Sequence, residues 1–177
     1  MATTSWNIDA SHSLAEFSVK HMMVSTTKGQ FGDVAGVIAF DPNDLTASSV
    51  EATIGVASIT TRDEKRDGHL RSADFFDVEN HPSITFKSTK IVKTDDDEYD
   101  VHGDLTIRGV TRQVVLEMEF NGVGKNPWGI QVAGFSAKTK IDRQDFGLTW
   151  SVALETGGVL VSNDVKVHLE IEANPAQ

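Results

Sequence analysis

Residues 103–114, Gly-Asp-Leu-Thr-Ile-Arg-Gly-Val-Thr-Arg-Gln-Val, predict a β-hairpin with a glycine in its turn. Before the turn, apolar side chains share one parity at Tyr99, Val101, Leu105 and Ile107. After the turn, the alternation returns at Val114, Leu116, Met118 and Phe120. A period of two indicates strands with one buried and one solvated face. The stretch therefore predicts two antiparallel strands that must close on further sheet.

The same alternation recurs along the chain and predicts eight strands. Their centres are Phe17, Ile38, Ile54, Phe86, Leu105, Leu116, Phe135 and Val167. Eight antiparallel strands avoid exposed edges by closing into an up-and-down barrel, and a two-sheet sandwich is the competing arrangement. The predicted fold class is all-β, an eight-stranded antiparallel barrel. In the first strand, His21 shares the parity of Phe17 and Val19, so its side chain is expected to be buried.

One segment departs from the strand period. Thr61, followed three residues later by Glu64, has the pattern of a capping box and predicts a short helix through about Arg71. A further turn capped at 72–74 would carry Phe75 and Phe76. The barrel is therefore expected to have one short helical insertion.

Length and charge exclude several classes of protein. The 177 residues are expected to form a single domain, 1–177, and the formal net charge of −10 makes nucleic acid an unexpected partner. Cysteine is absent, which excludes disulfides and thiolate chemistry. No apolar run approaches the roughly 18 residues needed to span a bilayer. The first residues show no signal-peptide pattern, so a cytoplasmic location is expected for the chain as given, and a periplasmic one if a leader was removed.

The sequence shows no catalytic or metal-binding motif. The six histidines form neither His-x-His nor His-Glu-x-x-His, so no metal site is expected. Ser11 and His12 are adjacent, and in a strand their side chains would point to opposite faces and could not pair. The chain is therefore expected not to be an enzyme and to require no cofactor.

Five segments, in their order and spacing, resemble the YceI-like family of polyisoprenoid-binding proteins. They are 12–31 with His-Ser and Phe-Ser-Val-Lys-His-Met, 66–77 with Arg-Asp-Gly-His-Leu-Arg-Ser, 82–86, 103–109, and 142–148 with Asp-Arg-Gln-Asp-Phe-Gly-Leu. The resemblance covers nearly the whole chain. It implies a lipocalin-like barrel that holds a long isoprenoid tail, such as that of a polyprenyl phosphate or an isoprenoid quinone. Many members of this family look secreted to the periplasm.

An apolar tunnel would be lined by inward side chains of the strands and of the helical insertion. The candidates are Phe17, Val19, Ile38, Ile54, Phe75, Phe76, Phe86, Leu105 and Phe135. The residues alone leave open whether this set fills the barrel as a solid core, and the resemblance favours a cavity. Candidates for contact with a lipid head group are His21, Arg71 and Arg143. The alternative for His21 is a buried imidazole that bonds to a neighbouring group, and the alternative for the two arginines is a structural role in ion pairs.

The expected function is non-catalytic binding, storage or transport of an isoprenoid lipid or quinone. The two rivals are an enzyme acting on such a lipid and a ligand-free barrel that serves as a stress-response or interaction module. The expected partner is the isoprenoid lipid, and a homodimer is a further option.

Overall fold

Strands make up most of the computed structural model, which describes residues 3–152, 154 and 160–177. The strands are β1 (Thr4–Ile8), β2 (Leu14–His21), β3 (Ser25–Phe31), β4 (Val34–Phe40), β5 (Ser49–Gly55), β6 (Ile59–Thr60), β7 (Ser83–Asp95), β8 (Glu98–Ile107), β9 (Val110–Lys125), β10 (Gln131–Asp142) and β11 (Asp164–Pro175). The helix α1 spans Glu64–Arg71. Short 3₁₀ turns cover Ala10–His12, Leu45–Ala47, Val56–Ser58 and Arg143–Phe146.

The sheet closes on itself because the first and last strands pair. β1 and β11 run antiparallel, with Trp6 opposite Pro175 and Ile8 opposite Ala173. The ring runs β1-β4-β5-β7-β8-β9-β10-β11 and returns to β1. The remaining strands continue members of this ring, since β2 follows β1, β3 leads into β4, and β6 follows β5. The predicted eight-strand barrel is therefore confirmed, and the closure excludes a two-sheet sandwich.

The hairpin at 103–114 forms as predicted. β8 and β9 pair from Glu98 opposite Glu119 to Ile107 opposite Val110. The two residues between them, Arg108 and Gly109, both have positive φ, at 51° and 75°. Positive φ at both central positions is what a two-residue type I′ hairpin turn requires.

The N-terminus of α1 is capped by a residue other than the predicted Thr61. The carboxylate of Asp63, not the hydroxyl of Thr61, accepts from the backbone N–H groups of the first turn of α1. The capping box predicted from Thr61 to Glu64 is wrong, because the buried Thr61 donates its backbone N–H and its hydroxyl to the carboxylate of Asp67. This contact ties α1 to the end of β6.

Two clusters of buried apolar side chains fill opposite ends of the barrel. We call the end that carries α1, the β2–β3 hairpin and the β8–β9 turn the helix end, and the other the terminal end because β1 begins and β11 ends there. Phe31, Phe75 and Phe146 belong to the helix-end cluster. Trp6 and Phe40 belong to the terminal-end cluster. None of the helices among the described residues has the length and apolarity needed to cross a bilayer.

The prediction that His21 is buried is wrong. His21 is the last residue of β2 and is exposed, although its parity matches that of Phe17 and Val19. Alternation along a strand assigns a side chain to a face but not to a depth along the barrel axis. At His21 the strand has passed the last layer of packed side chains.

Candidate functional site

A cavity of about 280 Å³ lies inside the barrel, and among the described residues only apolar atoms face it. It extends from Leu45 and Val50 near the terminal end to Leu148 and Val161 near the helix end. The two buried clusters therefore do not fill the barrel completely. An apolar cavity that follows the barrel axis suits a slender hydrocarbon chain.

All nine residues predicted to line the tunnel lie on the cavity wall: Phe17, Val19, Ile38, Ile54, Phe75, Phe76, Phe86, Leu105 and Phe135. For the strand residues, alternation along the strand explains the inward orientation. On β10, for example, Ala133, Phe135 and Ala137 are buried, whereas Ser136 faces outward and donates to the exposed carboxylate of Glu170. That these residues contact a ligand stays a prediction.

Two glycines make room for aromatic rings on the wall. Phe17 lies opposite Gly29 on the neighbouring strand, and its ring occupies the space that a Cβ atom at Gly29 would need. The ring of Phe86 similarly covers Gly103 on β8. Both rings therefore lie flat along the sheet and leave the barrel axis open.

Aromatic side chains of the helical insertion cover the helix end. The ring of Phe76 packs edge-on against Phe31 with centroids 5.8 Å apart. Phe75 lies 5.3 Å from Trp150, and the imidazole of His69 packs edge-on against the same indole at 4.8 Å. The insertion thus forms part of the cavity wall at this end.

Sequence reasoning missed several wall residues. Leu116 and Met118 lie on the apolar parity that the alternation identified on β9, but they were not among the tunnel candidates. Phe146 and Leu148 follow β10 in a 3₁₀ turn and the residues after it, where a period of two no longer applies. Val161 reaches the wall through a single bridge to His21, which no local pattern signals.

Two charged residues border the cavity among those described, Glu16 and Arg143, and of these Arg143 is buried. Its side chain is 5% exposed and lies on the cavity wall near the helix end. The guanidinium donates from Nη1 to Leu148 O at 2.6 Å, from Nε to Ser162 O at 2.9 Å, and from Nη2 to Val161 O at 3.3 Å. Burial lowers the pKa of Arg143 below its ordinary value, and the charge of Asp142 opposes this in part.

Arg71 and Arg143, the two arginines proposed for the head group, bind carbonyl groups of the backbone. No carboxylate within the described residues lies within ion-pair distance of Arg143. Arg71 likewise donates to the backbone carbonyls of Ala57 and Ile59, at 3.3 and 3.1 Å. The expectation of ion-paired scaffolding is therefore wrong for these two side chains, since they tie loops to strands through carbonyl oxygens.

Of the three head-group candidates, the structure brings one to the cavity. Arg143 lines the wall, whereas Arg71 and His21 do not. Arg71 is turned toward the backbone of the segment before α1, and His21 lies exposed at the end of β2. Head-group contact stays a prediction for all three, and Arg143 is the one that the cavity lining favours.

A separate polar cluster lies on the outer surface between β1 and β2. The Nδ1 atom of His12 is 2.9 Å from Asp9 Oδ2, 3.1 Å from Glu172 Oε2 and 3.1 Å from Ser11 Oγ. The expectation that Ser11 and His12 cannot pair is wrong, because residues 10–12 form a 3₁₀ turn instead of a strand. The serine and both carboxylates nevertheless meet the same imidazole nitrogen. A nucleophile–base–acid relay needs two different nitrogens.

This cluster is also the one grouping of three metal-ligand side chains found among the described residues, with donor atoms within 4.8 Å of one another. His12 is 66% exposed, and its hydrogen bonds account for the arrangement. The hydrogen bond that His12 donates to Asp9, and then the charges of Glu172 and Asp9, raise the pKa of His12. The bonds from His12 and Ser11 lower the pKa of Asp9, and its slight burial opposes this.

Comparison with known proteins gives consistent matches over most of the chain. A family model described as the YceI-like domain matches residues 6–173. A UPF0312 protein of Staphylococcus aureus is 41% identical over 170 residues, covering 96% of each chain. A UPF0312 protein of Staphylococcus epidermidis is 44% identical over 170 residues with the same coverage.

Solved structures share the barrel. A YceI protein of Campylobacter jejuni is 37% identical with a TM-score of 0.78, covering 89% of this chain and 90% of that one. BcnA of Burkholderia cenocepacia is 25% identical with a TM-score of 0.80, covering 93% and 98%. A polyisoprenoid-binding domain from Saccharophagus degradans is 14% identical with a TM-score of 0.75, covering 98% and 99%, which shows a common fold alone.

Proposed function

The chain belongs to the YceI-like family, and we propose that its barrel binds an isoprenoid lipid without catalysing its conversion. The observation that carries this proposal is the apolar cavity along the barrel axis with a buried guanidinium at one end. The Saccharophagus domain of the same fold is described as polyisoprenoid-binding. Because that likeness extends to the fold alone, the proposal rests on the cavity.

The tail lies in the cavity because the described wall presents only apolar atoms, and a hydrocarbon chain needs no hydrogen-bond partner there. A volume of about 280 Å³ is just below the ~300–1,000 Å³ of most small-molecule pockets. The wall suits a chain that is thin and branched, since methyl branches can enter the gaps between side chains of alternate strands. Burial of such a chain contributes roughly 0.8 kcal/mol per methylene group before the costs of binding.

The head group lies near Arg143. Three of its five N–H donors are directed to carbonyl oxygens of described residues, and the proposal requires the other two to turn toward the ligand, because only apolar atoms face the cavity as it stands. The charge of Asp142 offsets the burial of this cation only in part, so the guanidinium gains from a further acceptor that carries negative charge or a strong dipole. A phosphate oxygen and a quinone carbonyl both meet this requirement, so either head group fits.

The arrangement offers binding without an evident reaction. The Ser11–His12–Asp9 contacts use one imidazole nitrogen and lie on the outer surface, outside the cavity lining. Arg143 can orient and polarise an oxygen, but the described wall of the cavity presents no acid–base pair beside it. Storage or carriage of the lipid is the role that fits these facts.

Solvent extraction of the native protein tests the proposal. Protein purified without detergent is extracted with organic solvent, and the extract is analysed by mass spectrometry. We expect an isoprenoid lipid or quinone in amounts comparable to the protein, and little in an Ala137→Phe variant, whose new ring enters the cavity. A lipid-free extract, together with no binding of added prenol or quinone by the purified protein, overturns the proposal.

A further inference from the structure

The hairpin between β2 and β3 carries an exposed apolar tip. Met22, Met23 and Val24 are 46%, 57% and 82% exposed. The backbone N–H of Val24 donates to the carbonyl of His21 at 3.1 Å and closes the turn. Single exposed apolar residues are ordinary, but three in succession at a loop tip mark a surface that meets an apolar partner.

The backbone of this tip is unfavourable for the residues it carries. Met22 and Met23 have φ values of 53° and 64°. Positive φ at both central positions of a hairpin turn favours Asn-Gly, because side chains with a Cβ crowd the backbone there. The turn thus holds two methionines where other residues would be more stable, which points to a use for the side chains.

The tip adjoins the helix end of the cavity. The backbone N–H of Met22 donates to Leu160 O at 2.9 Å, and His21 pairs with Val161. Val161 lies on the cavity wall, as does Val19 on the same strand as His21. The carbonyl of Val161 also accepts from Arg143. The exposed methionines are therefore close to the end at which a head group is proposed to lie.

Lysines form a row on the outer face just behind the tip. Lys28 and Lys166 lie on either side of Ser18, and Lys140 lies opposite Lys166 on β10. Lys20 is nearer to the tip and donates to Thr26. Among the described side chains, the row's ion pair joins Lys140 to Asp164 at 3.8 Å, and Lys20, Lys28 and Lys166 pair with no carboxylate. At ~3.3 Å per residue, the row is about 10 Å from His21.

The terminal end has an apolar tip with the opposite surroundings. Trp128 is 82% exposed in the turn between β9 and β10. The tip of the neighbouring β7–β8 hairpin carries Asp95, Asp96, Asp97 and Glu98, and the backbone carbonyl of Asp97 accepts from the backbone N–H of Phe120 on β9. An acidic surface is repelled by anionic lipid, whereas lysines behind an apolar tip are attracted to it.

From these observations we infer that the β2–β3 hairpin docks the barrel, helix end first, onto an anionic lipid bilayer. Met22, Met23 and Val24 enter the interface, and Lys20, Lys28 and Lys166 meet lipid phosphates. With a net charge of −10, the rest of the surface is held away from the bilayer. The inference rests on the proposed lipid-binding function and assigns the cavity end that exchanges lipid with the membrane.

A turn exchange tests the inference without loss of folding. The double variant Met22→Asn with Met23→Gly places the favoured residues in the turn, so its thermal stability should equal or exceed that of the native protein. Binding is measured by sedimentation with vesicles of equal parts phosphatidylcholine and phosphatidylglycerol. We expect at least about tenfold weaker binding, since burial of one methionine alone is worth more than tenfold. Trp128→Ser is the matched control and should bind as the native protein does.

Charge and cavity readouts complete the experiment. Lys28→Glu with Lys166→Glu should weaken binding to the mixed vesicles and leave the weak binding to pure phosphatidylcholine unchanged. Binding of a short prenol added from solution is measured in parallel, and the turn variant should bind it as the native protein does. Vesicle binding then reports docking and prenol binding reports the cavity, so the failure of one proposal is distinguishable from the failure of the other. Three results would each overturn the inference. The turn variant could sediment with vesicles as the native protein does, or Trp128→Ser could lose sedimentation. The native protein could also prove to be a dimer that the turn exchange converts to a monomer.

Discussion

The ring of Phe17 occupies the space beside Gly29 that a Cβ atom would fill. The two residues are direct cross-strand partners on β2 and β3, and Phe17 lines the cavity. Any side chain at position 29 must push the ring away, either toward solvent or into the cavity. The glycine therefore keeps the ring along the sheet.

A methyl group at this position should destabilise the barrel. We expect Gly29→Ala to lower the free energy of unfolding by about 1–3 kcal/mol, as for other overpacked sites, and to reduce the amount of bound lipid. Gly32→Ala is the matched control, because a Cβ atom there meets no atom within 4 Å. Urea denaturation of both variants gives the comparison. Equal stability of the two would contradict the account of Phe17.

The His12 cluster should contribute stability in a limited pH range. Because the pKa of His12 is raised above 6.5, its contribution is complete below 6.5 and is lost as the pH rises through the folded-state pKa. Because the pKa of Asp9 is lowered below 3.8, its contribution is present above 3.8 and is lost as the pH falls through the folded-state pKa. The stability lost in His12→Asn should therefore be greatest between these two values.

Urea denaturation of His12→Asn across this range measures the difference. His102→Asn serves as the control, since no carboxylate of a described residue lies within ion-pair distance of His102. A stability difference that grows above pH 6.5 has the wrong sign and would reject the ion-pair assignment.

A charge inside the cavity should abolish lipid retention. Phe86→Asp and Phe135→Asp each replace a wall side chain by a carboxylate that cannot be solvated there. Val115→Asp places the same charge on the outward face of β9, where the side chain is exposed, and should retain lipid. Circular dichroism at low temperature identifies which variants are folded. A folded wall variant that still retains lipid would show that the ligand lies elsewhere.

Arg143 should discriminate between ligands with and without a polar head. Arg143→Met keeps much of the apolar bulk and removes the donors, so the affinity for a prenyl phosphate or quinone should fall, whereas the affinity for a tail-only hydrocarbon should barely change. Arg108→Met is the control, because its guanidinium also donates to two carbonyls, those of Gly147 and Ala73, without lining the cavity. Equal loss for both ligands in Arg143→Met would leave Arg143 a purely structural residue.

Much of the barrel could be predicted because alternation is a local signal. The positions of Phe86, Leu105 and Phe135 follow from the parity of their own strands, and all three lie on the wall as expected. Parity does not show where a strand ends. It therefore could not predict the depth of His21 along the barrel axis or the 3₁₀ turn at residues 10–12 that interrupts the strand.

The surroundings of Arg143 could not be predicted for a different reason. Two of its three carbonyl partners, Val161 and Ser162, follow it by 18 and 19 residues and reach it through the pairing of β10 with β11 and through contacts with the end of β2. The motif around Arg143 contains two aspartates, so ion pairing was the natural expectation. The cap of α1 could not be predicted from the capping-box spacing, which Thr61 satisfies and Asp63 does not, because a contact between Thr61 and Asp67 leaves the cap to Asp63.

The central claim is that the cavity holds an isoprenoid tail, and affinity as a function of tail length tests it most directly. Lipid-free protein is titrated with prenyl phosphates that differ only in the number of five-carbon units. At about 0.3 kcal/mol per non-hydrogen atom, each unit should lower Kd by roughly tenfold until the cavity is full, after which Kd should stay constant. A Kd that does not depend on tail length would contradict the account.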